Sequence, residues 1–151
     1  MMHAKKRQLT WLRAHKLTMT PRNHEDLRVW HRAMDLAEAT HNALETFSRE
    51  YRYSYGDQFR RAAISVAANI AEGAARRHRR EFVQFLSIAR GSLAELHTLS
   101  RLAGRVRLCS VDQLVKLDEL IDHTGRMLTR MLKALDSREP RASARRHTDN
   151  Q

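Results

Sequence analysis

At 151 residues, with 42% hydrophobic content and a formal net charge of +11, the chain is long enough for one domain with a real core and basic enough to attract polyanions. Five glycines and two prolines are too few for the turns that sheets and sandwiches need, so long helices with short connections are predicted. No apolar run approaches the roughly 20 residues that span a bilayer, and no apolar signal core follows the basic N-terminus.

After Pro21, Asn23 is placed to cap a first helix, with Glu25 and Asp26 favourable in its first turn. Leu27, Trp30, Met34, Ala37, His41 and Leu44 then recur at spacings of three and four, a bundle-type stripe that Phe47 closes. Residues 48–52 read as a short polar connection. The second helix is predicted from about Tyr53 to Arg76, with Phe59, Ala63, Val66 and Ile70 inward. Ala62, Ser65, Ala67, Ala68 and Ala71 keep it small-sided, so a neighbour can approach closely, and Gly73 is expected to loosen or bend its end. The third helix is predicted from about Arg79 to Arg107, with Phe82, Phe85, Leu86, Ala89, Leu93, Leu96 and Ala103 inward. Gly91 and Gly104 each cost about 1 kcal/mol against Ala inside a helix, and close helix contact is the expected reason for them. Ser110 with Gln113 makes a capping box that opens the fourth helix. Its stripe, Leu114, Leu117, Ile121, Thr124, Leu128, Met131 and Leu135, runs on until Pro140 and a polar tail follow. The resulting expectation is an all-α, antiparallel up-down-up-down four-helix bundle spanning 24–136, flanked by flexible basic tails at 1–23 and 137–151.

Much of the charge excess lies in those tails. Residues 1–23 carry six Lys and Arg and no acid, and residues 137–151 carry four Arg against Glu139 and Asp149. Residues 24–136 hold 18 bases and 15 acids. Basic tails of this kind bind polyanions by releasing counterions, with strong salt dependence and little sequence preference. Within the bundle, Arg60, Arg61, Arg76, Arg77, Arg79, Arg80 and Arg90 form the candidate nucleic-acid-binding set. The run at 76–80 leads into a helix N-terminus, where backbone N–H groups also favour phosphate oxygens. Arginine outnumbers lysine 23 to 5, and its guanidinium grips phosphate bidentately. The plainer reading is that several pair with acids, Arg76 with Glu72 one turn earlier, and that Arg60 and Arg61 support a subunit contact. Asn69 and Glu72, one turn apart among small apolar residues, suit a structural polar network that fixes helix register or a subunit contact.

Enzyme chemistry finds little footing. A di-iron bundle needs two Glu-x-x-His helices; Glu38 with His41 supplies one, while Glu119 and His123 are spaced by four. His41 is therefore expected to be a partly buried, satisfied histidine. No phosphate-cradling glycine loop, HExxH, CxxC or G-x-S-x-G pattern occurs. The single Cys109 cannot form an internal disulfide and suits a reducing cytoplasm; arginines near it in sequence could lower its pKa. No catalytic residue, metal or cofactor is expected. A helix-turn-helix at the second and third helices is disfavoured, because both run well beyond the compact motif.

The stretch from Asp26 to Leu99 resembles the 23S ribosomal RNA intervening-sequence proteins, a four-helix-bundle family. Asp26-Leu27-Arg28-Val29-Trp30 is similar to the family's helix-one signature. Gln58-Phe59-Arg60-Arg61-Ala62-Ala63-Ile64-Ser65-Val66 continues into Asn69-Ile70-Ala71-Glu72-Gly73 and Arg76, and Glu81-Phe82 precedes Phe85-Leu86-Ser87-Ile88-Ala89-Arg90-Gly91-Ser92 and Glu95-Leu96. The chain departs from the pattern at Ser48 and at Ala67-Ala68, where prolines are common, and at His78, a poorer cap than the usual serine. The resemblance implies a bundle that assembles into a ring, usually a homopentamer, with no known enzymatic activity. Relatives implied by it include the accessory protein of diversity-generating retroelements, which is similar in fold and binds a reverse transcriptase and nucleic acid. The family's ribosomal association reflects where such genes lie, inside insertions in rRNA genes. Two functions are thus expected: electrostatic binding of RNA or DNA through arginine-rich surface, or a protein-interaction scaffold, for example for a nucleic-acid-processing protein.

Overall fold

The computed structural model describes residues 23–137; the readings on the remaining parts of the two tails lie outside the described residues. Four helices follow one another: α1 (Arg28–Leu44), α2 (Arg49–Ala74), α3 (Arg79–Arg105) and α4 (Val111–Asp136). Each packs on the next, α4 closes back onto α1, and the α2–α3 pair is the most extensive. With connections of only four, four and five residues, consecutive helices must run antiparallel, which gives the up-down-up-down bundle.

The chain enters α1 differently from the sequence expectation. Asn23 does act as a cap, its Oδ1 accepting the Glu25 N–H at 3.0 Å, but what it caps is a separate 3-10 turn, His24–Asp26. The backbone extends at Leu27, so Glu25 and Asp26 lie outside α1, whose first turn has no acid. The buried stripe is also displaced by one residue. Val29, Ala33, Leu36, Thr40 and Ala43 face the core together with Leu44, whereas Met34 is 46% exposed and the His41 side chain 64% exposed beside Glu45. Two stripes one residue apart satisfy the same helical period. The inward one has the small Ala33 and Ala43, and its one polar member, Thr40, donates its hydroxyl to the Leu36 carbonyl at 2.8 Å. His41 is thus a surface residue and not a buried one.

Phe47 lies beyond the end of α1, buried in the connection and edge-to-face with Phe59 at 5.8 Å. α2 begins at Arg49, four residues before the expected start. Arg52 secures this entry, its guanidinium donating to the Glu45 and Phe47 carbonyls at 2.8 and 3.3 Å, so residues 49–52 are helix despite their polarity. Phe59, Ala63, Val66 and Ile70 face the core as their spacing predicts. α2 ends at Ala74 and α3 at Arg105, each two residues short of expectation. Beyond α3, Arg107 adopts φ 59°, while Leu108 donates to the Ala103 carbonyl at 2.9 Å, a left-handed helix terminus with arginine where glycine is usual. The capping box at α4 is complete: Ser110 Oγ accepts the Gln113 N–H and Gln113 Oε1 accepts the Ser110 N–H.

Close packing accounts for one glycine and not for another. Gly73 is buried one residue before the end of α2, and a Cβ there would stand 2.7 Å from Phe85 Cβ and 2.9 Å from Phe82 Cδ2. Gly91, by contrast, has no neighbour within 4 Å of where its Cβ would be, so no helix contact within this chain requires it. Gly104 does meet α4, with Leu114 Cδ1 at 3.0 Å from its Cβ position. Gly73→Ala gains about 1 kcal/mol of helix propensity, but forces two rings off a close-packed seam at a cost of about 1–3 kcal/mol. The expected result is a net loss of stability, read as a lower urea midpoint at unchanged slope.

Candidate functional site

Antiparallel topology places the start of α1, the α2–α3 turn and the end of α4 at one end of the bundle. Leu27, Val29, Phe82, Met131 and Leu135 line one apolar hollow there, so these termini converge. The tail segments 1–22 and 138–151 attach at this same end. The other end holds the α1–α2 and α3–α4 connections, joined where Thr46 and Gln113 meet at 3.4 Å.

Dividing each helix at its middle separates the charges. The half nearer the tails comprises 23–36, 62–91 and 124–137; it holds ten Arg and Lys against six Asp and Glu, a net +4. The other half, 37–61 and 92–123, holds eight against nine, a net −1. Residues 1–22 carry +6 and 138–151 carry +2, and both segments join the described residues at this end. The charge of the described residues is thus polarised toward the tail-bearing end, and its field is directional.

The structure separates the predicted arginines into groups. Arg76, Arg77, Arg79 and Arg80 cluster at the α2–α3 turn, with Arg77 and Arg80 exposed. Arg76 is engaged within the chain: it pairs with Glu72 and lies over the Phe85 ring, 4.8 Å from its centroid. Arg60 and Arg61 lie in the opposite half of α2, and Arg60 bonds Asp57 at 2.7 Å. Arg90 borders the groove between α3 and α4. That groove also contains Arg126 and Arg130, and the tail-end hollow has Arg28 on its rim, none of them in the sequence-predicted set. A signal was present in α4, where Asp112, Asp118, Glu119 and Asp122 precede Arg126, Arg130 and Lys133, with Lys116 and Asp136 alone out of that order.

Asn69 and Glu72 have different partners. Asn69 Nδ2 donates to the Ser65 carbonyl at 2.7 Å and to Ser65 Oγ at 3.0 Å, and Ser65 Oγ meets Ser92 Oγ at 2.8 Å across the α2–α3 seam. Glu72 turns to Arg76 instead. The α2–α3 register is thereby pinned by two serines and an asparagine.

Cys109 is half-buried in the α3–α4 connection, and burial raises its thiol pKa above the ordinary value, opposite to the lowering that nearby arginines suggested. Desolvation penalises the thiolate, and no opposing effect is resolved. Among the described residues, no three His, Cys, Asp or Glu side chains group to hold a metal ion, and no helix is long and apolar enough to cross a membrane.

The fold and surface define an all-helical, basic four-helix-bundle protein with its positive charge drawn to one end. The family profile described as 23S rRNA-intervening sequence protein matches residues 25–130, and the chain belongs to that family. A solved structure from Bacteroides thetaiotaomicron VPI-5482, described as a protein with unknown function from the S23 ribosomal protein family, shares the fold with a TM-score of 0.65. It is 21% identical, and the match covers 70% of this chain and 95% of that one. No curated protein matches the chain.

The state of Cys109 is open to direct measurement. Because only the thiolate reacts, alkylation by iodoacetamide at pH 8 should be slower than that of an unstructured cysteine peptide, and its rate should rise only at more alkaline pH. Labelling as fast as the peptide would show that the thiol is not desolvated.

Proposed function

We propose that the protein is a non-enzymatic, homo-oligomeric RNA- or DNA-binding protein of the cytoplasm, and that it meets the polyanion with its tail-bearing end. The segregation of charge carries this reading: a net +4 and −1 in the two halves of the bundle, with a further +8 attached to the positive one. A nucleic-acid backbone approaching that end displaces its counterions, whereas the other end offers it no net attraction. Arg77 and Arg79 make no ion pair among the described residues, and the His78 side chain makes no capping bond. The first N–H groups of α3 therefore remain available to phosphate oxygens.

Self-assembly is supported by family resemblance and by the outer α2–α3 face. Ile64 is 59% and Ile88 44% exposed, Ala68 lies beside them, and Gly91 leaves open space that a neighbouring copy would fill. Cyclic symmetry in a ring, by resemblance a pentamer, would set the basic ends of all copies at one height, where they engage one polyanion together.

Light scattering of the purified protein, with and without an RNA hairpin, tests both parts. A closed oligomer should take up RNA at low salt, and six phosphate contacts would reduce affinity about 10³-fold between 50 and 200 mM salt. Arg77→Glu with Arg79→Glu should weaken binding at least tenfold without altering assembly. An oligomer that ignores RNA at every salt concentration would overturn the reading and make a protein partner the object of search.

A further inference from the structure

The groove between α3 and α4 is lined by two arginines that have no carboxylate partner among the described residues. Its volume is about 550 Å³, and Leu93, Ile121 and Gly125 form an apolar floor. The two helices approach closely there: a Cβ on Gly125 would lie 3.3 Å from Leu93 Cδ2. That contact sets the register, so Arg90, one turn before Leu93 on α3, stands level with the interval between Arg126 and Arg130 on α4. Arg126 and Arg130 are themselves one turn apart on the same face. The carboxylates bordering the groove are occupied. Asp118 accepts from Ser100 and Arg101, both at 3.5 Å, and Asp122 pairs with Arg126. Arg90 and Arg130 have no such partner among the described residues, and both border the groove that has this apolar floor.

We propose that this groove is a binding site for single-stranded nucleic acid, with successive phosphates on Arg90 and Arg130 and the bases against the Leu93–Ile121 floor. The assignment rests on the functional reading above and locates it. One phosphate would satisfy a compact two-arginine site, but this one is open and continues. Arg130 also borders the tail-end hollow, of about 460 Å³, which has Arg28 and one acid, Asp26, on its rim and Phe82, Met127 and Met131 in its wall. The positive edge and apolar floor thus run from the groove to the basic end. A ligand suited to that track repeats anions along its length and exposes flat apolar faces between them, as an unpaired strand does and a duplex does not. Packed helix axes lie about 8–10 Å apart, so the furrow between them admits an extended strand but not a double helix.

Fluorescence anisotropy of the full chain with a labelled 12-nucleotide RNA, and with the same RNA annealed to its complement, provides the test. The variants are Arg90→Gln with Arg130→Gln, both at exposed positions, and Arg32→Ala with Lys116→Ala, a charge-matched control on the α1–α4 groove. Alanine at 90 and 130 repeats the first pair, and circular dichroism confirms that each variant is helical. The wild type should bind the single strand more tightly than the duplex. The 90/130 pair should lose at least tenfold in affinity at 50 mM salt and lower the log–log salt slope by about 1.4, at roughly 0.7 per single-strand phosphate contact, while the control pair changes either by much less. If the 90/130 pair binds like wild type, or the control loses as much, the groove assignment falls and the wider reading stands. If the duplex binds as tightly as the single strand, the single-strand assignment falls. If the wild type binds no RNA, both readings fall together.

Discussion

The closeness of α2 to α3 at Gly73 is the constraint from which the rest of the bundle's geometry follows. With no Cβ there, Phe82 and Phe85 lie directly against the α2 backbone, and the helices meet where the chain is about to reverse. The reversal then takes only four residues, and the arginines that encode it are held at the end of the bundle. Arg76 is drawn back over Phe85 and onto Glu72, so it belongs to the packing of the seam. Farther along the same seam, Ser65 and Ser92 meet with Asn69 holding Ser65 from its own helix, and a one-residue slip would break the Ser65–Ser92 bond. Small residues bring the helices together and a few hydrogen bonds fix how they register.

That geometry turns a diffuse charge excess into a directional one. Because the helices alternate in direction, sequence positions as distant as Arg28, Arg79 and Arg130 arrive at the same end, with the attachment points of both tails. Exposed ion pairs such as Arg60–Asp57 or Arg126–Asp122 contribute at most about 1 kcal/mol each to folding. Their greater effect is on which arginines remain available. Where an arginine has a carboxylate on its own helix, as at 60, 76 and 126, its charge is partly cancelled locally. Where it makes no ion pair among the described residues, as at 77, 79, 90 and 130, the charge is uncancelled there and helps set the field that a partner encounters.

Helix number, order and topology were legible in the sequence, as were the inward faces of α2 and α4 and the Ser110–Gln113 cap, because each rests on a strong local signal. The inward face of α1 was not, because Val29/Ala33/Leu36/Thr40 and Trp30/Met34/Ala37/His41 have the same period, and only packing against α2 and α4 chooses between them. Gly73 and Gly91 look alike in sequence, one buried against two rings and the other open, since a glycine's neighbours in space are not its neighbours in the chain. The candidate surface was legible only where it is contiguous. The 76–80 run stands out as a string of residues, but the pairing of Arg90 with Arg130 depends on how α3 and α4 align, which Leu93 and Gly125 decide.

Ultraviolet cross-linking of bound RNA, followed by mass spectrometry of the attached peptides, tests the central claim most directly, that the polarised charge selects which end meets the polyanion. Cross-links concentrated at the tail-bearing end, from the α2–α3 turn and the second half of α4, are the predicted result. Cross-links centred on the Thr46–Gln113 end, or spread evenly along all four helices, would contradict it.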